Sequence, residues 1–239
     1  DVNVEEQPTG SIGFGGSYST SNGLGLSLSF SERNFLGRGQ RLSAGVSTAS
    51  TNNNYSFNFV EPRFLGRDLT FGFGASYSAT EQEYAEFDTG RGVLRPSIGF
   101  PVSDFGRLSL RYTLEYSDIL NTDDGDAGQI IRAEEDLGER WDSSLGYTFS
   151  WDTRRDGLDP NAGVLLEFGQ DFGGLGGDTS FIETNLRAVA QQRVWNEEVT
   201  LRATFEAGAL NYTSGRSRVT DRFRLNDSTL RGFEYGGIG

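Results

Sequence analysis

Cysteine and histidine are both absent from the 239 residues. Those two absences exclude disulfides, cysteine nucleophiles, histidine bases and nearly every structural zinc site. Proline is scarce, with 5 residues beside 33 Gly, 18 Phe and 9 Tyr, a balance that suits many strands joined by tight turns. No run of about 18 apolar residues occurs, so no segment reads as a transmembrane helix. Basic residues are outnumbered, 21 Lys+Arg against 34 Asp+Glu for a net charge of -13. With no basic stripe against that acidic background, nucleic acid is not an expected partner. A mean hydropathy of -0.47 looks soluble, yet a wall that alternates polar and apolar residues averages to the same value.

Alternation is what the chain has in place of long apolar runs. Ile12, Phe14, Gly16 and Tyr18 fall on one face, and Leu24, Leu26, Leu28 and Phe30 follow after a Ser21-Asn22-Gly23 turn. That is a strict period of two, the spacing of β-strands. Further strands read over 42–48, 55–60, 69–79, 93–102, 108–116, 145–151, 164–168, 181–190 and 199–209. The count is about eleven, with many near the 9–11 residues of a tilted strand that crosses a bilayer. Connections sort by parity: compact turns at 33–40, 61–67, 103–106, 153–162 and 194–198, and longer acidic loops at 80–91, 118–141 and 171–179. A soluble sandwich or lipocalin-like barrel alternates too, with the apolar side inside. Strand length, an apolar face rich in Phe, Leu and Tyr, and the loop asymmetry favour the membrane. The expected fold class is therefore all-β, a transmembrane antiparallel up-and-down β-barrel. Ile12, Phe14, Leu26, Leu28, Phe71, Phe73, Leu110, Tyr112, Tyr147, Phe149, Leu186 and Phe205 are expected to face lipid. Gly25, Ser27, Arg111, Glu115, Arg187 and Glu206 are expected to face the lumen.

Three polar stretches stand out. Asp152, Arg154, Asp159, Pro160 and Gly163 make a well-formed turn, with Asp-Pro starting it and glycine supplying a permissive end. Asp123-Asp124-Gly125-Asp126 lacks the spacing and terminal Glu of a calcium loop, and reads as a solvated acidic loop. Leu230, Arg231, Gly232 and Phe233 form a glycine-containing loop motif after the last strand. If that loop enters the lumen, its guanidinium needs carboxylate or carbonyl partners; as a plain surface loop it needs none. No acid/base pair accompanies a nucleophile, so no enzyme activity is expected, and neither a cofactor nor a metal site is indicated.

Phe-Leu-Gly-Arg occurs twice, at 35–38 and 64–67, each time in the turn that joins one hairpin to the next. Asn34-Phe35-Leu36-Gly37, the Asp152 to Gly163 turn and Leu230-Arg231-Gly232-Phe233 with Gly237-Ile238-Gly239, in that order, resemble landmarks of the BamA family. This is a family of outer-membrane β-barrel assembly factors within the polypeptide-transporting superfamily that carries POTRA domains. The resemblance implies that residues 1–9 are the end of a POTRA domain or its linker. It makes 10–239 the N-terminal part of the barrel, ending in the sixth extracellular loop. An incomplete barrel follows, about eleven strands of an expected sixteen, an even number being the bacterial rule. It also implies assembly and insertion of β-barrel proteins into the bacterial outer membrane, without a cofactor. The lateral-gate strand would be Gly10, Ser11, Ile12, Gly13, Phe14, Gly15 and Gly16, its glycines weakening the pairing that closes the barrel. An opened edge adds incoming strands through its unpaired backbone groups. Implied partners are unfolded outer-membrane β-barrel clients, accessory lipoproteins of the BAM complex and outer-membrane lipid or lipopolysaccharide. A two-partner-secretion type transporter of the same superfamily and a passive porin are the alternatives.

Overall fold

A computed structural model describes all residues but 1–6, 20–22, 83–86, 121–128, 155–161, 197, 222 and 224–239. Eleven antiparallel strands form one sheet: β1 (Gly10–Ser19), β2 (Gly23–Phe35), β3 (Gln40–Thr48), β4 (Asn52–Glu61), β5 (Thr70–Gln82), β6 (Phe87–Pro101), β7 (Gly106–Leu120), β8 (Arg140–Asp152), β9 (Gly163–Gly173), β10 (Ser180–Val194) and β11 (Val199–Ser214). A short helix, α1 (Gln129–Glu135), lies between β7 and β8. Each strand pairs with its neighbours in sequence, so β1 and β11 are the two edges of an open sheet. This is the up-and-down arrangement expected from the alternation, and its open sheet agrees with the incomplete barrel that the resemblance implies.

Strand-to-strand register carries the alternation across the whole sheet. One row runs Ile12, Phe30, Ala44, Phe57, Ala75, Leu94, Leu114. From Phe30 to Leu94 large and small side chains alternate along it, so neighbours interlock on the pleated surface. All twelve residues expected to face lipid share this face, and the six expected in the lumen share the other. The apolar face is the exposed one: Phe14 is 84% exposed, Leu26 60%, Leu145 51% and Phe205 59%. A soluble monomer rarely exposes a contiguous apolar patch beyond about 300–600 Å². A sandwich would have turned this face inward, so the register and exposure together decide between the two architectures that alternation leaves open.

Aromatic residues mark two levels on the outer face. Tyr116 and Trp141 meet at a tilt of 55° with ring centroids 5.2 Å apart near the long-loop ends of β7 and β8. Phe105 and Trp151 meet edge-on at 6.5 Å by the short turns, as Phe64 and Phe71 stack at 5.2 Å. Trp141 and Trp151 lie on one strand, ten residues apart. At ~3.3 Å per residue and a tilt of ~40°, that spacing spans ~25 Å along the barrel axis, the height of a barrel's apolar band between its aromatic girdles.

The strands outrun the apolar pattern at their long-loop ends. The acidic stretch 80–91, read as a loop, is mostly the end of the β5–β6 hairpin, with Glu81 opposite Asp88. Likewise β7 runs to Leu120, β8 starts at Arg140 and β9 runs to Gly173. Backbone pairing needs no apolar side chain once the strand leaves the bilayer, so hydropathy loses the strand before the hydrogen bonds do. Orientation gives a direct test. Ala75 and Ser76 are adjacent near the middle of β5, on the outer and inner faces respectively. Ala75→Arg should cost ~2–4 kcal/mol in vesicle unfolding titrations, and Ser76→Arg little; equal costs would reverse the sidedness.

Candidate functional site

The inner face of β1 is built from very small residues. There Gly13 and Gly15 stand opposite Ser29 and Ser27, and Ser17 opposite Gly25. A Cβ at Gly13 would lie 2.6 Å from the Ser29 hydroxyl, and one at Gly15 2.5 Å from that of Ser27. On this face the hairpin is held by its backbone ladder with little side-chain packing to reinforce it, while the outer face sets Ile12 opposite Phe30, Phe14 opposite Leu28 and Tyr18 opposite Leu24. The ladder's phase is fixed by one bond: the Arg33 N–H donates to the Thr9 carbonyl at 3.1 Å. In an antiparallel pair, directly opposed residues alternate between exchanging hydrogen bonds and exchanging none. Thr9 stands opposite Arg33 in this register, so Ser11, Gly13, Gly15 and Ser17 bond to β2. The N–H and C=O groups of Ile12, Phe14, Gly16 and Tyr18 then point away from β2, along the free edge.

Two wall positions are organised by charge. Arg111, Gly146 and Asp171 are consecutive partners on β7, β8 and β9. The Arg111 guanidinium crosses over Gly146 to the Asp171 carboxylate, with Nε donating at 2.9 Å and a second, shorter bond from Nη2. A Cβ at Gly146 would collide with that carboxylate, so this glycine is required by the crossing. In the same way Arg187 bridges Glu167 at 3.2 Å and Glu206 at 3.1 Å, linking β9, β10 and β11.

The segment after β11 turns back onto this inner wall. Asp221 is its anchor. Its carboxylate accepts two bonds from Arg140, at 2.9 and 2.7 Å, one from the Tyr212 hydroxyl at 2.7 Å and one from the Arg218 N–H at 2.6 Å. Arg140 also contacts Asp142 at 2.7 Å, and Asp142 accepts from Thr179 at 2.5 Å. Arg218, buried, donates to the backbone carbonyls of Ser117 and Gly138. The Phe223 ring lies over Gly208, where a Cβ would sit 2.7 Å from its atoms. Burial works to raise the Asp221 pKa. The bonds from Arg140, the Arg218 N–H and Tyr212 outweigh it and hold this carboxyl below the ordinary carboxylate range. Burial, then the neighbouring Arg140, push the Arg218 guanidinium pKa down.

Of the residues singled out in sequence, the β1 strand and the stem of the 152–163 turn lie among the described residues. In that stem the Arg154 side chain pairs with Asp152 at 3.0 Å, and Thr153 and Val164 exchange bonds at 2.9 and 3.2 Å. Gly163 has φ +137 and packs against Arg154, leaving no room for a side chain. Asp159 and Pro160, and Leu230, Arg231, Gly232 and Phe233, lie outside the described residues. Sequence reading missed Asp221, Arg140 and Tyr212. Asp221 is a single acidic residue ahead of the loop motif, and its partners are up to 81 positions away, so no local periodicity reveals it.

Residues 34–239 match the family model described as the Omp85 superfamily domain. The chain is 29% identical over 243 residues to the outer membrane protein assembly factor BamA of Neorickettsia risticii, an alignment that covers 100% of this chain and 32% of that protein. It is 30% identical over 237 residues to the outer membrane protein assembly factor BamA of Nitratidesulfovibrio vulgaris, covering 97% of this chain and 29% of that one. This chain therefore spans about a third of the length of either relative. The crystal structure of BamA from Haemophilus ducreyi lacking POTRA domains 1-3 shares the fold, with a TM-score of 0.68 at 17% identity over 90% of this chain and 43% of that chain.

Proposed function

The chain belongs to the Omp85 superfamily, and on that premise we propose that it is the first part of the barrel of a factor that assembles β-barrel proteins into the membrane. It is a bacterial outer-membrane protein. The observation that carries the proposal is the β1 strand, whose donors and acceptors at Ile12, Phe14, Gly16 and Tyr18 point away from β2 and whose inner face meets β2 only through glycine and serine. Unpaired edge groups are a template for another strand. An unfolded client strand that adds to Ile12, Phe14, Gly16 and Tyr18 satisfies its own backbone while entering the apolar band, where unpaired polar groups are costly. The working surface is then a hydrogen-bonding edge, and the step needs neither a nucleophile nor a cofactor.

Within this reading Gly10, Ser11, Ile12, Gly13, Phe14, Gly15 and Gly16 act as the lateral gate. Leu230, Arg231, Gly232 and Phe233 form a loop that enters the lumen. The turn of Asp152, Arg154, Asp159, Pro160 and Gly163 is structural. Partners are unfolded outer-membrane clients, accessory lipoproteins of a BAM complex and the surrounding lipid or lipopolysaccharide. The test is site-directed crosslinking in the complete protein. A cysteine at Ile12 or Gly16 should trap a cysteine in the last strand of a stalled client. Cysteines on the inner wall, at Ser56 or Ser76, should trap far less. Crosslinks concentrated on the inner wall would instead mark a chain passing through the lumen, as in a secretion transporter.

A further inference from the structure

The short turns share a feature that strand addition does not use. Leu36 and Leu65 hold the same place in the two Phe-Leu-Gly-Arg repeats, with φ of 55 and 57. In each, the glycine N–H bonds back three residues and the arginine N–H bonds to the phenylalanine carbonyl, at 2.9 and 3.2 Å in the first and 3.0 and 3.2 Å in the second. Trp195, in the turn between β10 and β11, has φ 56, with Asn196 following at φ 54. This left-handed region is disfavoured for side chains and is met most cheaply by Gly, Asn or Asp. The chain has placed large apolar residues there, and leaves them in the open: Leu36 is 72% exposed, Leu65 76% and Trp195 82%. A residue that gains neither local conformational ease nor burial within its own chain is positioned for an external contact.

Their distribution identifies the contact. The tips stand after β2, β4 and β10, spread around the short-turn rim over most of the sheet. A compact protein domain would engage adjacent turns on one sector, whereas a surface that meets turns this far apart must surround the barrel. Arg38 and Arg67 follow the two leucines at the same offset, and neither makes an ion pair with a carboxylate among the described residues. Apolar tips with a guanidinium two residues on match the bilayer interface, where carbon meets acyl chains and arginine meets lipid phosphate. Tryptophan favours the same depth. Resting on the outer-membrane reading above, we propose that the short-turn rim is an interfacial anchor. Leu36, Leu65 and Trp195 enter the periplasm-facing leaflet at headgroup depth, with Arg38 and Arg67 on its phosphates. The occupant is the phospholipid surface itself.

Spin labels test this in the complete protein, reconstituted in vesicles of phosphatidylethanolamine and phosphatidylglycerol. Labels are placed at Leu36→Cys and Leu65→Cys, with Val46→Cys on the outer face as the reference. The expected result is that 36 and 65 are relaxed by doxyl lipids labelled near the headgroup more than by an aqueous nickel chelate, and that 46 reads deeper. If 46 is in lipid while 36 and 65 are in water, the anchor is wrong and the membrane reading stands. If 46 is also in water, the membrane reading itself falls. Protection of 36 and 65 from both reagents would mean that protein covers the tips, which also overturns the proposal. The triple variant Leu36→Asn, Leu65→Asn, Trp195→Asn keeps residues suited to the turn, and so is expected to fold. Its insertion into the same vesicles should slow several-fold, and an unchanged rate would count against anchoring.

Discussion

Replacing Asp221 by alanine should release the segment after β11 from the inner wall. The substitution leaves the buried Arg140 without its bidentate partner, and removes the acceptor of Tyr212 and of the Arg218 N–H. Breaking a buried ion pair from one side costs ~3–5 kcal/mol when the remaining charge is left desolvated, and Asp142, still 2.7 Å from Arg140, puts this loss at the low end of that range. That exceeds what Phe223 on Gly208 restores, about 1.5–3 kcal/mol for a well-buried ring, since Phe223 is itself 56% exposed. The measurement is limited trypsin digestion of the folded protein, which should open at Arg216 and Arg218. Asp221→Asn, which keeps a neutral acceptor, should fall between. The double variant Arg140→Met, Asp221→Leu should recover little, because it leaves the buried Asp142 carboxylate without the Arg140 guanidinium at 2.7 Å. Trypsin protection that survives Asp221→Ala would show that the segment is held some other way.

Acid should do the same reversibly. The Asp221 pKa is lowered from 3.8, so its ionised form is favoured by folding. A depressed carboxyl contributes its stability fully above the ordinary value and loses it as pH falls through the folded one. Trypsin-resistant protection cannot be read at such pH, but hydrogen exchange can. The amides of 217–221 should stay protected at pH 5 and open only below about pH 4, and the Asp221→Asn protein should lack that transition.

The second large effect is expected at the β1 edge, and it depends on odd and even positions. Proline removes a backbone donor. At Ile12, Phe14 or Gly16 the lost N–H points along the free edge, so β1 keeps its ladder to β2 and the barrel should fold. Assembly of clients should nevertheless collapse, as each client strand meets a broken row of donors and a ring where a hydrogen bond was. At Gly13 or Gly15 the lost N–H belongs to the β1–β2 ladder, so folding itself should suffer. Heat-modifiability on gels reads folding and the yield of folded outer-membrane protein reads assembly. Equal assembly defects at odd and even positions, with folding intact, would remove the edge from the mechanism. Stiffening substitutions follow the same geometry. Gly16 opens onto free space, so Gly16→Val is the change that raises β propensity without a clash. At Gly13 and Gly15 the facing serine hydroxyl must first rotate away.

Periodicity made the sheet legible because a wall one strand thick, lipid on one side and water on the other, writes its two faces alternately into the chain. Thus Arg111 and Tyr112, adjacent in sequence, were assignable to opposite faces without any contact being known. What lay outside that code was everything set by contacts across strands. Gly146 reads as one more glycine in an alternating strand until Arg111 and Asp171 are seen meeting above it, 60 positions apart. Asp221 reads as one more acid in an acidic chain until Arg140 and Tyr212 converge on it. The strand ends at Leu120 and Arg140 were misread for a different reason: hydropathy reports the lipid boundary, and the hydrogen-bonded ladder continues past it. The free-edge phase of β1 needed one observed bond, Arg33 to Thr9, because alternation assigns side chains to faces and is silent on which way the amides point.

The strand order has a kinetic consequence. Every ladder in this sheet joins sequence neighbours, so its growth requires closing only local loops, the longest of them the 121–139 connection between β7 and β8, and topologies of low contact order form rapidly. Each new strand finds its template in the edge left by the one before it. The long-range links, Arg111 to Asp171 and Arg140 to Asp221, join strands or segments already laid down, and so act late, as fasteners on a finished wall. The reaction proposed for β1 is then the elementary step of the protein's own folding, carried out once more with a strand drawn from a different polypeptide.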